Sequence, residues 1–369
     1  MKIERRQEKF SQLFCINFTR WKQNYIRAFL RADDALVFVS SAENAIKKGF
    51  DENTQLVSWA SKDQSEVDKL LKQFNGSVWL VEDGFIRSTG LGTDLTAPAS
   101  LVLDKTGIYY DPSRPSDLEN LLQNTQFTPD ELHRAEKLKQ ALLENELSKY
   151  NLGKKFSRDS LNARPGQSVI LIPGQVEGDA SIKKGCVDIN TNAGLIKAVR
   201  EAKPDAYLIY KPHPDVVSGN RKGKVAAHIL EENCDLVLLD ASITDCLALV
   251  DEVHTMTSLV GFEGLLRKLK VVCYGLPFYS GWGLTQDRHK IERRTRKLKL
   301  DELVAATLIE YPRYINWQTG EFTTPEVIVD QLKQQIEQQG GKQTNQVFWL
   351  NRQFRKMKNI LHGVLLNRR

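Results

Sequence analysis

Residues 168–181 read SVILIPGQVEGDAS: an apolar run from Ser168 to Pro173, then a Gly-containing turn that carries Gln175, Glu177 and Asp179. A run this short, dense in β-branched side chains and closed by Pro and Gly, reads as a strand buried on both faces, the kind found in parallel sheets. Downstream the pattern repeats, with a helix over Ala193–Ala202, strands at Ala206–Tyr210, Leu236–Leu239 and Glu252–Thr255, a helix over Leu259–Arg267 and a strand at Lys270–Tyr274. Upstream, Asp34–Ser40, Leu56–Ala60 and Ser77–Val81 read as strands, with a helix over Gln64–Phe74. Such β-α-β alternation with short connections implies an α/β fold whose parallel sheets are covered by helices.

Between the two series lie strand-like Leu101–Leu103 and Gly107–Tyr110, a helix opened by Pro115 and Ser116, and a long charged helix beginning at Pro129 with Leu at helical spacing. Residues 151–167 are polar and hold Gly and Pro, so the domain boundary is expected there. The reading is therefore an N-terminal domain over 1–160, a second domain over 161–310, and C-terminal helices and a tail over 311–369. Two tandem β/α domains with a cleft between them would bind ligands outside the carboxyl ends of their strands.

Composition excludes several classes. Of 369 residues 41% are hydrophobic, too many for disorder, and no apolar run reaches the roughly 18–20 residues that span a bilayer. The N-terminus shows no signal-peptide pattern. Five Cys without a CxxC pair read as reduced thiols in a cytosolic protein. Six scattered His and no DxD motif leave no metal cluster, and no P-loop or GxGxxG fingerprint is present. The net charge of +6 is unevenly distributed: residues 1–31 carry +6, residues 338–369 carry +7, and the body between carries −7. Phe10, Leu13, Phe14, Phe18, Trp21 and Tyr25 at one end, and Val347, Leu350, Phe354, Met357 and Leu361 at the other, recur at three- and four-residue intervals among Lys and Arg. Both ends read as basic amphipathic helices suited to an anionic inner-membrane surface, or else as helices packed on the body. An acidic body with no recognised binding module argues against nucleic acid as a partner. A further basic stretch, Arg288–Lys299, reads as a solvated face, with attraction of an anionic substrate as the alternative.

Polar residues collect where strands end. Glu82 and Asp83 follow Ser77–Val81; Gln175, Glu177 and Asp179 follow Val169–Ile172; KPHPD (211–215) follows Tyr207–Tyr210; Thr255, Thr257 and Ser258 open the helix that carries Glu263. Each has an ordinary structural reading as a cap or turn former. His213 stands apart because Pro212 and Pro214 stiffen the loop around it. Hydroxyls and unpaired N–H groups at a helix start also suit a phosphate.

These segments together resemble the bacterial capsule-synthesis β-Kdo transferases, where Kdo is the acidic eight-carbon sugar 3-deoxy-D-manno-oct-2-ulosonic acid. The resemblance is carried by VEDGFIRS (81–88) running on through GLGTDL (90–95) to GIYYD (107–111), by GQVEGDAS (174–181), YKPHPD (210–215) and TMTSLVGFEG (255–264), and by YGLPFYSGWGL (274–284). It runs collinearly over roughly residues 78–287, and the chain has length for a single module. Where family members often carry a Gly-Trp-Gly-like segment after the first strand, this chain has Ser40, Ser41, Ala42, Glu43 and Asn44.

The resemblance implies a GT-B architecture of two Rossmann-like domains, a CMP-Kdo donor, transfer with retention of anomeric configuration to a glycan or glycolipid acceptor, and no required metal or other cofactor. It makes Asp179 the candidate nucleophile, Glu82 the candidate base, and His213 the donor to the leaving phosphate. Lys211, Pro214, Thr257, Ser258 and Glu263 are then expected around CMP-Kdo. Arg87, Asp83 and Gln175 are expected near the acceptor or the sugar carboxylate. Other donors, CMP-sialic acid or a UDP-sugar, and a non-catalytic scaffold in capsule or lipopolysaccharide assembly remain as alternatives.

Overall fold

The structure is a computed structural model that describes residues 12–31, 35–86, 97–144, 158 and 161–338. The chain forms two compact units. Among the described residues the first takes 12–107 and Pro312–Thr324, and the second takes Ile108–Tyr311 and the helix that begins at Pro325.

The first unit holds strands β1 (Leu13–Ile16), β2 (Leu36–Val39), β3 (Gln55–Trp59), β4 (Val78–Asp83) and β5 (Ser100–Asp104), with helices α1 (Arg20–Leu30), α2 (Ala42–Lys47) and α3 (Ser65–Phe74) between them. Its sheet runs β4-β3-β1-β2 in parallel. Beyond β4 the sheet is antiparallel: β5, then two strands from far along the chain, Pro312–Asn316 and Glu321–Thr323, complete seven. The period-2 alternation of strand side chains sorts the core onto two faces. Leu13, Cys15, Val57, Trp59, Trp79 and Val81 meet Ile26 and Phe29 of α1. Phe14, Ile16 and Leu56 meet Ala42 and Ala45 of α2 and Val67 and Leu70 of α3.

The second unit holds helices α4 (Asp117–Asn124) and α5 (Pro129–Glu144), then β6 (Val169–Pro173), α6 (Ala180–Gly185), α7 (Asn192–Ala202), β7 (Tyr207–Lys211), α8 (Pro214–Val217), α9 (Ala227–Asn233), β8 (Leu236–Val237), α10 (Ile243–Leu249), β9 (Glu252–Thr255), α11 (Leu259–Leu266), β10 (Lys270–Cys273) and β11 (Gln286–Asp287). The six strands run β11-β10-β9-β6-β7-β8, all parallel. Leu195, Ile196 and Val199 of α7 cover Ile170, Ile172, Leu208 and Tyr210. Helix α12 (Leu300–Val304) continues into a π-helical turn, Ala305–Glu310, and α13 (Pro325–Gln338) follows.

Five expectations change. Residues 312–324, expected among C-terminal helices, instead supply the last two strands of the first unit's sheet, because Pro312–Asn316 pairs with β5 and Glu321–Thr323 with it in turn. Residues 108–144, placed by sequence with the first domain, pack with the second: Glu119 of α4 pairs with Arg293 and Arg294, Lys139 with Asp301 at 2.6 Å, and Arg134 with Glu326 at 2.7 Å. The expected boundary at 160 falls mostly outside the described residues. Arg293, Arg294 and Arg296 are not a solvated face either. Arg294, its side chain only 3% exposed, also donates to the carbonyls of Pro277 and Ser280, and Arg296 reaches Glu302. Leu13 and Phe14 lie in a strand rather than a helix, because four consecutive apolar residues there are buried from both sides. Gly107–Tyr110 makes a turn, not a strand, with Asp104 accepting the backbone N–H groups of Thr106 and Gly107. Phe10 and the C-terminal tail lie outside the described residues.

Candidate functional site

In the second unit the chain leaves β6 for β7 on one side and returns at β9 on the other. The loops after β6 and β9 therefore diverge, and a parallel sheet opens its ligand crevice at such a switch point. Gln175 bridges it. Its Nε2 donates to Thr257 Oγ1 at 3.0 Å, and its Oε1 accepts the Thr257 backbone N–H at 3.0 Å. The amide expected to meet a sugar carboxylate is thus committed to bracing two loops. Gly174 is required just before it, because a Cβ there would stand 2.7 Å from Tyr210 Oη and 3.0 Å from Pro212 Cα.

Behind this bridge sits Asn192, first residue of α7 and 1% exposed. Its Oδ1 accepts the Gln175 N–H at 2.8 Å, and its Nδ2 donates to the carbonyls of Gln175 and Gly223, each at 2.8 Å. The Asn192 N–H in turn donates to Glu177 Oε1 at 2.8 Å. One buried amide therefore fastens the loop after β6 to the loop that follows α8. Sequence reading passed over Asn192 because an Asn at a helix start looks like an ordinary cap.

At the end of β7, Lys211 is 8% exposed and burial pushes its ammonium below the usual lysine range. The carboxylate of Asp240 nearby acts in the opposite direction. His213 has extended backbone and caps α8, its Nδ1 accepting the Asp215 N–H at 3.1 Å. With Nδ1 an acceptor, the neutral ring carries its proton on Nε2, which is then a donor. Pro214 occupies the first helical position, where a missing N–H costs nothing.

Asp179 precedes α6, with Oδ2 accepting from Ser181 Oγ at 3.2 Å and Oδ1 3.8 Å from Arg221 Nη2. Ser258 caps α11 through the Val260 N–H at 3.2 Å. That helix start is held down by Tyr279, whose Oη donates to the Ser258 carbonyl and lies so close that a Cβ on Gly261 would meet it at 2.2 Å. Glu263 is buried on the same helix.

Glu82 and Asp83 belong to the first unit. They lie inside β4, not beyond it, because β4 pairs antiparallel with β5 out to Asp83–Leu101. Glu82 is half-buried; its Oε2 accepts the Ser61 N–H at 3.1 Å and its Oε1 the Asp83 N–H at 3.2 Å. Burial, and next the charge of Asp83, raise its carboxyl above the usual range, while Lys22 of α1 pulls it back. Lys22 itself lies over the ring of Trp59. Gly84 follows because β5 leaves no room for a side chain: a Cβ would meet Ser100 Oγ at 2.2 Å. Arg87 lies outside the described residues.

The structure thus gathers Gln175, Asp179, Lys211, His213, Pro214, Thr257, Ser258 and Glu263 on the second unit, and Glu82 and Asp83 on the first. Among the described residues no group of three or more His, Cys, Asp or Glu side chains is placed to hold a metal ion. No described helix is long and apolar enough to cross a membrane. All five Cys are free thiols.

Residues 54–314 match the family model described as capsule polysaccharide biosynthesis protein. The capsule polysaccharide modification protein LipA of Neisseria meningitidis serogroup B is 43% identical over 335 residues, which is 90% of this chain and 47% of LipA. The chain thus spans about half the length of the curated relatives it matches there. Among solved structures it is similar to KpsC of Thermosulfurimonas dismutans, described as a β-Kdo 2,7 transferase, at 35% identity and a TM-score of 0.70. A second KpsC structure from the same organism, described as a β-Kdo 2,4 transferase, matches at 32% and 0.74. Each covers 88% of this chain and 99% of the solved one.

Proposed function

The chain belongs to the capsule polysaccharide biosynthesis family, and we propose that it is a glycosyltransferase that moves Kdo from CMP-Kdo to a capsular or lipopolysaccharide acceptor with retention of configuration. The carrying observation is the switch point of the second unit. The segments that follow its strands β6, β7 and β9 carry hydroxyls, a buried lysine, a histidine with Nε2 as donor and a half-exposed carboxylate. The corresponding strand ends of the first unit show Asn17 after β1 and, after β2, Ser41 in its place as cap of α2. The nucleotide is accordingly assigned to the second unit.

In this reading Asp179 attacks the anomeric carbon. The bond to the CMP phosphate oxygen breaks, and its electron pair leaves with CMP. His213 Nε2–H and the charge of Lys211 stabilise the departing phosphate, while Thr257, Ser258 and Glu263 hold the nucleotide. The acceptor oxygen then attacks the same carbon and gives its proton to Glu82, as the bond to Asp179 breaks and returns its electrons to the carboxylate. Two inversions give net retention. A carboxyl raised by burial is a stronger base than an ordinary glutamate, which suits Glu82 to the second step. The reading needs no metal, and the basic ends of the sequence support work at the cytoplasmic face of an anionic membrane.

The test is incubation with CMP-Kdo and a panel of acceptors, followed by mass and NMR analysis of the product. Transfer is expected to survive EDTA. Asp179→Asn is expected to abolish transfer and leave CMP affinity near normal, and substantial residual transfer would remove Asp179 as nucleophile. A chain stabilised by UDP but not by CMP in a thermal-shift assay would overturn the donor.

A further inference from the structure

We propose that Arg221 reads the carboxylate of the transferred sugar and thereby selects an acidic ketose donor, an inference that rests on the donor reading above. Three observations converge on this residue. First, its guanidinium lies 3.8 Å from Asp179 Oδ1, and both side chains are about half exposed, at 53% and 50%. Among the described residues no other acceptor engages that guanidinium, which offers five N–H donors. A loose exposed pair of this kind contributes little to stability, so its position asks for a different account.

Second, the loop that carries Arg221 is fixed against both loops of the site. The N–H groups of Asn220 and Arg221 donate to the Asp215 carbonyl, each at 3.1 Å, which ties the loop to the segment of His213. The Glu177 N–H donates to the Lys222 carbonyl at 3.2 Å, and Asn192 holds the Gly223 carbonyl, which ties it to the segment of Asp179. Gly223 adopts φ +136°, and a Cβ there would strike the Gln175 carbonyl oxygen at 2.7 Å and Asn192 Nδ2 at 2.9 Å. The main chain from which the guanidinium extends is therefore tied down on either side of Arg221.

Third, the chemistry of a 2-ulosonic acid demands a cation at this place. Its carboxylate is bonded directly to the anomeric carbon, unlike the hydrogen found there in an aldose. An anionic nucleophile must come to about 3–3.5 Å from that carbon, which brings two negative charges together. A guanidinium beside the nucleophile relieves that repulsion and offers a planar fork matched to a carboxylate. Lys222 and Lys224 share the loop, but Arg221 is the one within ion-pairing distance of Asp179.

The experiment compares the full chain with Arg221→Ala and Arg221→Lys, using calorimetric binding of CMP and CMP-Kdo and turnover of CMP-Kdo against its 1-carboxamide analogue. In Arg221→Ala, CMP affinity is expected to stay within twofold while CMP-Kdo affinity falls about 10- to 100-fold. The wild type should prefer the carboxylate donor, Arg221→Ala should lose that preference, and Arg221→Lys should recover part of it. Equal weakening of CMP and CMP-Kdo would mean a phosphate contact and overturn the proposal. So would a variant that keeps its preference for the carboxylate. A wild type that binds neither ligand overturns the donor reading itself and this inference with it, whereas a wild type that binds both separates the two.

Discussion

The two units share a four-strand core order, β4-β3-β1-β2 in the first and β10-β9-β6-β7 in the second, and so possess equivalent switch points. At each, an amide side chain from the end of the first strand crosses to the loop of the strand opposite. In the first unit Asn17, in the left-handed region at φ +69°, donates to Ser58 Oγ at 3.1 Å and the Asp63 carbonyl at 2.8 Å. In the second, Gln175 bonds both backbone and side chain of Thr257, and Asn192 braces it from behind. The same sheet order thus carries a partly exposed tie in one place and a buried cross-brace in the other. Topology selects where a ligand can go. The polar residues at the strand ends decide whether the place is made rigid enough to do chemistry.

The comparison can be broken by experiment, beginning with the largest effect. The second unit relies on a buried ionic strap, and Glu119→Ala would leave Arg294 buried without its carboxylate, at a cost of about 3–5 kcal/mol. Denaturant unfolding should show that loss with the first unit's transition unmoved; a shift below about 1 kcal/mol would mean the guanidinium finds water or other partners. Next, Asn192→Ala removes three buried hydrogen bonds and is expected to cost about 2–3 kcal/mol and roughly 100-fold in turnover. Asn17→Ala, its counterpart, should cost about 1–2 kcal/mol, partly from placing Ala at positive φ. If the two losses were equal, the contrast between brace and tie would fail.

The smallest effect is a pH dependence. The folded pKa of Glu82 is raised, so its contribution to stability is fully present below the ordinary glutamate pKa and is lost as pH rises through the folded value. Glu82→Gln removes that dependence. The variant should match the wild type near pH 4 and be the more stable of the two near pH 8. Denaturation midpoints at the two pH values check this, and parallel curves would show that the carboxyl is not strained by burial. Loss of transfer in the same variant tests its role as base separately.

Five of the six strands of the second unit were legible because each is an apolar run closed by Gly, Pro or charge, and β9 matches its expected bounds of Glu252–Thr255; β11, the two polar residues Gln286 and Asp287, has no such pattern and was not expected. The first strand was not. Leu13, Phe14 and Phe18 satisfy helical and extended spacing alike, and only burial on both sides decides between them. The antiparallel half of the first sheet was hidden for a different reason. β5 pairs with Pro312–Asn316, more than two hundred residues away, and local pattern carries no record of so distant a partner. The site divides in the same way. Strand-end positions of Asp179, Lys211 and His213 follow from spacing. Asn192 and Arg221 draw their importance from hydrogen bonds between loops that sequence cannot pair, although Gly223 inside the basic run 221–224 marks a backbone turn.

The chain passes from the first unit to the second after Gly107, returns at Pro312 and leaves again at Pro325. The second unit is therefore an insertion in the first, and the seven-stranded sheet is finished only after most of the chain has been made. During synthesis β5 would emerge early with one edge open, and its partner strand would follow some two hundred residues later. At ribosomal rates of about 5–20 residues per second that is a wait of tens of seconds, during which an unpaired edge invites misassociation. For the same reason a copy of residues 12–107 alone would carry a first-unit sheet without its last two strands, whereas the second unit's six strands lie within one continuous stretch.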